Sequence, residues 1–163
     1  MKPQPRPVLG WREWVALPEL GVARIRCKVD TGARTSALHA FYVEEFTAQG
    51  IAMVRFGMHP VQGKTEHEVH CEARILEQRK VTDSGGHTET RYVIKTPVIV
   101  GDAIWHVEIT LTNRDTMRYR MLLGRSAIAD NYLVDSARSH LAGKPSKTPS
   151  QHPVQSPVPD EEE

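Results

Sequence analysis

A chain of 163 residues with 39% apolar and 25% charged residues has the size and composition of one domain with a core of its own. A net charge of +1 gives no broad field for nucleic acid or an anionic membrane, and no run reaches the roughly 20 apolar residues of a membrane span. Residues 1–10 hold three prolines and no apolar stretch, so they do not read as a secretory signal, and the two cysteines, Cys27 and Cys71, suit reduced thiols in strands, so a cytoplasmic protein is expected.

In chain order, residues 1–9 read as a flexible N-terminal arm and residues 10–142 as one domain without internal repeats. Residues 14–17 are short and apolar. Residues 22–29 alternate apolar and polar at period 2, the mark of a half-buried strand. Residues 53–56 are short and β-prone. Residues 68–81 and 90–100 flank Asp83-Ser84-Gly85-Gly86-His87, a turn cluster that predicts a long hairpin. Gly101-Asp102 is a second tight turn, leading into residues 104–111. Residues 121–123 are fully apolar and stop at Gly124. Ser126 is placed to cap a brief helix to Asn131, and residues 132–134 return as a last strand. The basic residues between Arg114 and Arg125 are interrupted by Asp115 and read as solvated surface. Residues 143–163 contain five prolines, three serines and an acidic end, the composition of a disordered tail. Many short strands, regular turns and little helix predict an all-β barrel or sandwich.

One strand end carries chemistry. Aspartate is disfavoured in strands, yet Asp30 follows a period-2 run without a break. Gly32 permits a tight turn whose N–H can reach a carboxylate, and Thr31 can brace the loop. Such a loop would hold Asp30 rigidly. A single carboxylate is a poor hydrolase. Two of them about 3 Å apart share a proton, so one can accept a proton from water while the other polarises an amide carbonyl.

The motif Asp30-Thr31-Gly32-Ala33 is similar to the active-site signature of retroviral-type and pepsin-type aspartic proteases. Leu122-Leu123-Gly124-Arg125 resembles the apolar-apolar-Gly element that those proteins pack beneath the active-site loop, with the Gly-Arg pair of retropepsins. The longer stretch Lys28-Val29-Asp30-Thr31-Gly32-Ala33-Arg34-Thr35-Ser36-Ala37-Leu38-His39-Ala40 resembles a bacterial family of retropepsin-like proteins. Its members are often labelled ATP-dependent zinc proteases and are linked to ATP-grasp ligases that add glutamate to proteins. The resemblance covers about residues 10–140. It implies a closed retropepsin/pepsin-like β-barrel, an acid-protease lobe with one short helix near the C-terminus, and an aspartic endopeptidase acting on peptide or protein substrates. In that scheme Asp30 is base and acid, one role per protomer, and Thr31 braces the paired loops. Gly32 and Ala33 shape the loop floor, and Leu122, Leu123 and Gly124 support it. Viral enzymes often carry an acid after the alanine, paired with the Arg of the Gly-Arg element. Here that position is Arg34, which would repel Arg125 unless Asp130 or Asp135 intervenes. Arg34 would suit an acidic substrate side chain, as on a glutamate-modified tail.

The second carboxylate has two candidate sources. Asp83-Ser84-Gly85 lies 53 residues after Asp30, but no apolar strand precedes it and one domain of this size has no room for two lobes. It reads as a hairpin tip, with Ser84, Gly85 and Gly86 at the end of a candidate flap over residues 79–91. The remaining source is Asp30 of a second copy, so a homodimer with its site on the two-fold axis is expected. No cofactor or metal is expected. His67-Glu68-Val69-His70-Cys71 lacks the i, i+4 histidine pair of a zinc-protease helix, no phosphate loop supports ATP binding, and no Ser or Cys nucleophile motif is present. The alternative to a peptidase is a non-catalytic peptide-binding module of the same fold, associated with an ATP-grasp glutamate ligase system.

Overall fold

The structure is a computed structural model and describes residues 6–61, 66–114 and 118–145. It is nearly all β. The strands are β1 (Val8–Gly10), β2 (Arg12–Leu17), β3 (Val22–Asp30), β4 (Ser36–His39), β5 (Tyr42–Ala48), β6 (Ile51–Met58), β7 (Val69–Arg74), β8 (Glu77–Thr82), β9 (Thr88–Val100), β10 (Ala103–Thr112), β11 (Met121–Gly124) and β12 (Leu133–Asp135). A 3-10 turn over Pro18–Leu20 and one short helix, α1 (Arg125–Ile128), complete the elements. Among the described residues no helix is long and apolar enough to cross a membrane.

The main sheet runs β10-β4-β11-β3-β2-β9-β8, and β10 pairs with β9 as well. The period-2 reading of β3 explains its place. Val22, Ile25, Cys27 and Val29 are buried while Arg24 and Lys28 are exposed. β2 runs antiparallel beside it, with Arg12 opposite Lys28 and Trp14 opposite Arg26, so it turns Glu13, Val15 and Leu17 inward. Val15, Leu17, Ile25, Leu38, Ile94, Ile109, Met121 and Leu123 are fully buried in the core. Burial of each such side chain contributes about 1.5–3 kcal/mol before entropy is counted.

A second sheet, β5-β6-β7, lays Val54, Phe56, Met58 and Cys71 onto the same core. Residues 68–81, one arm of a hairpin by pattern, are in fact two strands: β7 pairs with β6 and β8 with β9. The hydrophobic pattern could not show the break, because both strands are half-exposed and share one alternation.

The chain ends are laced together. β1 and β12 form a parallel pair, with Val8 opposite Leu133, so Val8 and Leu9, assigned by composition to the loose arm, are structured. The Trp11 N–H donates to the Arg138 carbonyl (2.8 Å) and the His140 N–H to the Arg12 carbonyl (2.9 Å). Glu13 is fully buried. Its carboxylate accepts the backbone N–H groups of Gly10 (2.6 Å), Leu141 (2.9 Å) and Ala142 (3.0 Å). A buried charge is tolerated when hydrogen bonds satisfy it, and here those bonds clasp residues 10 and 141–142. Residues 143–145 continue from this clasp. The rest of the expected tail, from residue 146, lies outside the described residues.

Candidate active site

Asp30 is the last residue of β3, and Gly124 of β11 lies opposite it in a parallel pairing. On its other side β11 pairs antiparallel with β4, Leu122 opposite Ala37. β11 therefore slots between the two strands that residues 31–35 connect, and that loop must cross over the end of β11. The register thus places the Asp-Thr-Gly-Ala and Leu-Leu-Gly-Arg motifs in contact.

The loop is held by hydrogen bonds from Thr31 to Arg34. The Gly32 N–H donates to Asp30 Oδ1 (3.0 Å), which fixes the carboxyl group's rotation. The Ala33 N–H donates to the Asp30 carbonyl (3.2 Å). The first two N–H groups after Gly124 are also committed to the loop: Arg125 donates to the Ala33 carbonyl (2.7 Å) and Ser126 to the Arg34 carbonyl (3.0 Å). The Arg125 guanidinium donates to the Thr31 carbonyl (2.9 Å). Thr31, Gly32 and Arg34 are exposed, and Asp30 and Ala33 are half-buried. The site thus combines a hydrogen-bonded backbone with an open face.

Arg125 is directed to a backbone carbonyl, so the acid expected between it and Arg34 is not what holds the loop. Asp135 is occupied locally, accepting the Ala137 N–H (2.9 Å), and Asp130 is exposed. A guanidinium satisfied by a carbonyl does not require an acidic partner at residue 34.

Beneath the loop, Leu123 is fully buried and Leu122 half-buried. Sequence reasoning missed Ser36. It is fully buried, its Oγ accepts the Gly124 N–H (2.9 Å), and its carbonyl accepts the Thr110 hydroxyl (3.1 Å). The cue was a polar residue opening an otherwise apolar run, Ser36-Ala37-Leu38. The helix cap was also assigned to the wrong residue. Gly124 is the N-cap, without a side-chain cap bond, and the N–H groups of Arg125 and Ser126 that follow it are satisfied by the Ala33 and Arg34 carbonyls of the loop. The Trp105 indole N–H fixes the far side of α1 through the Ala127 carbonyl (3.1 Å).

Gly124 admits no side chain. A Cβ there would lie 2.6 Å from the Thr35 carbonyl carbon, 2.7 Å from its oxygen and 2.9 Å from the Ser36 nitrogen, all backbone atoms. Gly124→Ala is expected to force the loop off β11, lowering stability by about 1–3 kcal/mol as overpacking does. The amide resonances of Gly32 to Ser36 should shift further than those of β5 to β7, and a spectrum unchanged at residues 32–36 would contradict this packing.

Asp83-Ser84-Gly85 is the tip of the β8–β9 hairpin. Asp83 Oδ1 accepts the N–H groups of Gly85 and His87 (2.9 Å each), and Gly86 takes φ +87°. Arg114 lies 3.5 Å from Oδ2. Among the described residues, none of the tip's hydrogen bonds or ion pairs reaches residues 30–34. The His87 N–H, ahead of the Gly85 N–H and the charges of His87 and Arg114, holds the Asp83 carboxyl below its ordinary value of 3.8, against a partly opposing desolvation. A depressed folded value means that the turn's support is complete above the ordinary value and is lost as pH falls through the lower one. Gly85 and His87 amide shifts are expected to titrate together with a midpoint below 3.8; a midpoint at or above it would refute the assignment.

The histidine segment is used elsewhere. His70 shares hydrogen bonds with Tyr42 (3.0 Å) and Glu68 (3.2 Å), and the Cys71 thiol donates to the Leu20 carbonyl (3.4 Å). Burial pushes the Cys71 thiol up to about 11. Burial first, then the nearby Glu13 charge, pushes Cys27 higher still. Thiols raised this way stay protonated and make poor nucleophiles.

A carboxylate held at a strand end, in a loop braced by an apolar-apolar-Gly strand slotted beneath it, is the arrangement that the resemblance of the two motifs implies. The family described as "Retropepsin-like aspartic endopeptidase RimB" matches residues 8–145, and the chain belongs to it. Similar curated proteins include ones named "Probable alpha-L-glutamate ligase". The protein from Shewanella pealeana is 43% identical over 137 residues, which cover 84% of this chain and 30% of that protein. The one from Parasynechococcus marenigrum is 45% identical over 136 residues, 83% of this chain and 29% of that protein. The chain therefore spans about three tenths of the length of these relatives. A crystal structure of a Legionella pneumophila protein of unknown function superposes with a TM-score of 0.70 at 28% identity, covering 83% of this chain and 98% of that one.

Proposed function

We propose that the chain is an aspartic endopeptidase that hydrolyses peptide bonds between the Asp30 carboxylates of two copies. The observation that carries this reading is the fixation of Asp30 by the Gly32 N–H at an exposed strand end, over a loop pinned by Arg125 and Ser126. Within one chain the rival carboxylate, Asp83, is committed to its own turn and to Arg114. A second copy supplies the missing acid. The two carboxylates share one proton; the ionised one takes a proton from the attacking water, and the protonated one polarises the scissile carbonyl. Ala33 and Arg34 line the substrate side, and the β8–β9 hairpin, with Ser84, Gly85 and Gly86 at its tip, is the cover. The pairing of β10 with both β4 and β9 supports reading the main sheet as the closed barrel of an acid-protease lobe.

The relatives' names support a working link to glutamate ligation, with an ATP-grasp ligase as the functional partner. Arg34, exposed beside Asp30, suits an acidic residue on the polypeptides such a ligase extends. The same names favour a second reading, a peptide-binding module that delivers substrate to the ligase. A library of peptides with and without glutamate runs separates the two. Cleavage blocked by a pepstatin-type transition-state mimic is the expected result; binding of the same peptides without any product would mean the module.

A further inference from the structure

The tip of the β8–β9 hairpin is bonded to its own turn and to Arg114, but the hairpin's arm reaches the Asp30 loop through the interior. Glu89 and Arg91 stand two apart on β9, as Thr110 and Thr112 do on β10, so each pair shares a face. The Thr112 hydroxyl (2.9 Å) and Arg91 Nε (2.6 Å) both donate to Glu89 Oε2. Arg91 Nη1 donates to the Thr110 hydroxyl oxygen (3.3 Å), and that hydroxyl donates to the Ser36 carbonyl (3.1 Å). Ser36 Oγ in turn accepts the Gly124 N–H (2.9 Å). Gly124 lies opposite Asp30, and the next two N–H groups hold the Ala33 and Arg34 carbonyls. A continuous series of hydrogen bonds therefore runs from the hairpin to the strand beneath the Asp30 loop.

These polar groups lie where apolar packing would cost less. Ser36, Thr110 and Thr112 are buried, and Arg91 is only 8% exposed, on a strand whose next residues inward include the fully buried Val93 and Ile94. A buried guanidinium is costly unless paired, and replacing a buried ion pair by well-packed apolar side chains is often neutral or stabilising. What a satisfied buried network adds is one fixed geometry, because each donor and acceptor fits a single arrangement of its partners. Ser36 is the junction. It follows directly on the loop, its carbonyl takes the hairpin side and its hydroxyl takes the Asp30 side. We propose, resting on the peptidase reading with the hairpin as cover, that Arg91, Thr110 and Ser36 are positioning residues that tie the Asp30 carboxylate to the seat of the hairpin. A peptide gripped under the hairpin and the acid that activates water against it are then set together. The three residues act through Gly124 and the loop carbonyls bound beyond it, not on the substrate itself.

The test uses the full chain with E89Q, T110V, T110S, and E89Q combined with T110V. Valine matches threonine in shape but lacks the hydroxyl; serine keeps it. The first readout needs no activity. E89Q is expected to shift the Gly124 and Gly32 amide resonances in the wild-type background and to leave them in place in the T110V background, where the series is already cut. If T110V does not fold, E89Q at its exposed position decides alone: its shifts at Gly124 and Gly32 must exceed those across β5 to β7. The second readout is kinetic. T110V is expected to lower kcat about tenfold with KM held, within the roughly 10²-fold that a misplacement of about 1 Å costs, and T110S to restore most of it. E89Q shifts of equal size in both backgrounds, or none at Gly124 in either, would overturn the proposal. So would a kcat loss that serine fails to repair, which marks bulk packing and not the hydroxyl. A wild type that cleaves no peptide, while the E89Q shifts vanish in T110V, would remove the peptidase reading and leave the tie between hairpin and Asp30 loop standing.

Discussion

Asp30→Asn is expected to leave the fold intact and to reduce peptide cleavage by roughly 10²–10⁴-fold, the contribution of a positioned acid–base group. The variant keeps a carbonyl oxygen where the Gly32 N–H donates, and the main-chain bonds of Ala33, Arg125 and Ser126 do not involve the side chain. Its unfolding midpoint should therefore match wild type, to within the ~0.5 kcal/mol typical of changes made away from the core. Dependence on a second copy gives a sharper measurement. If each site takes one Asp30 from each of two copies, equimolar mixing and re-equilibration with the Asn variant leaves about a quarter of the sites with two carboxylates, given random pairing. Activity falling to about one quarter supports a shared site; activity falling to one half means that each chain works alone. Cleavage by the Asn variant at the wild-type rate would remove Asp30 from the chemistry altogether.

Glu13→Ala should have the largest effect on stability of any single side-chain truncation in the chain. Three backbone N–H groups, at Gly10, Leu141 and Ala142, would lose their acceptor in a site where Glu13 itself is fully buried. Each buried donor left unsatisfied costs about 1–3 kcal/mol, and breaking a buried charged network typically costs 3–5 kcal/mol in all. Set against the 5–15 kcal/mol of an ordinary domain, this brings the protein close to unfolding at room temperature. The urea midpoint should drop by about 1–3 M. Amide exchange should accelerate first at residues 10 and 141–142, before the β3–β11 pairs respond. Glu13→Gln retains one carbonyl oxygen but turns an NH₂ toward a backbone donor, so an intermediate loss is expected. A Glu13→Ala protein within 1 kcal/mol of wild type would show that the clasp contributes little.

Much of the site was legible in residue order. The period-2 run of residues 22–29 ends on an acid, and the only local way to keep an aspartate there is a loop with donors of its own, which Gly32 provides. The apolar pair before Gly124 likewise announces a buried strand that stops abruptly. Other features were hidden. Tyr42–Ala48 has a half-exposed pattern too weak to announce a strand, and the break at Ile75-Leu76 falls inside one continuous alternation.

The sequence by itself determined the β periodicity, the acid at the end of β3 and the small residue that closes β11, because these depend on neighbours two to four positions apart. Only the tertiary structure decided that β11 enters between β3 and β4, that Ser36 rather than Ser126 serves the Gly124 backbone, and that Glu13 clasps residues 141–142. Those outcomes rest on hydrogen bonds between groups about 90 to 130 positions apart. A buried donor must be satisfied by whatever acceptor the fold brings near it, and no local pattern says which one that will be.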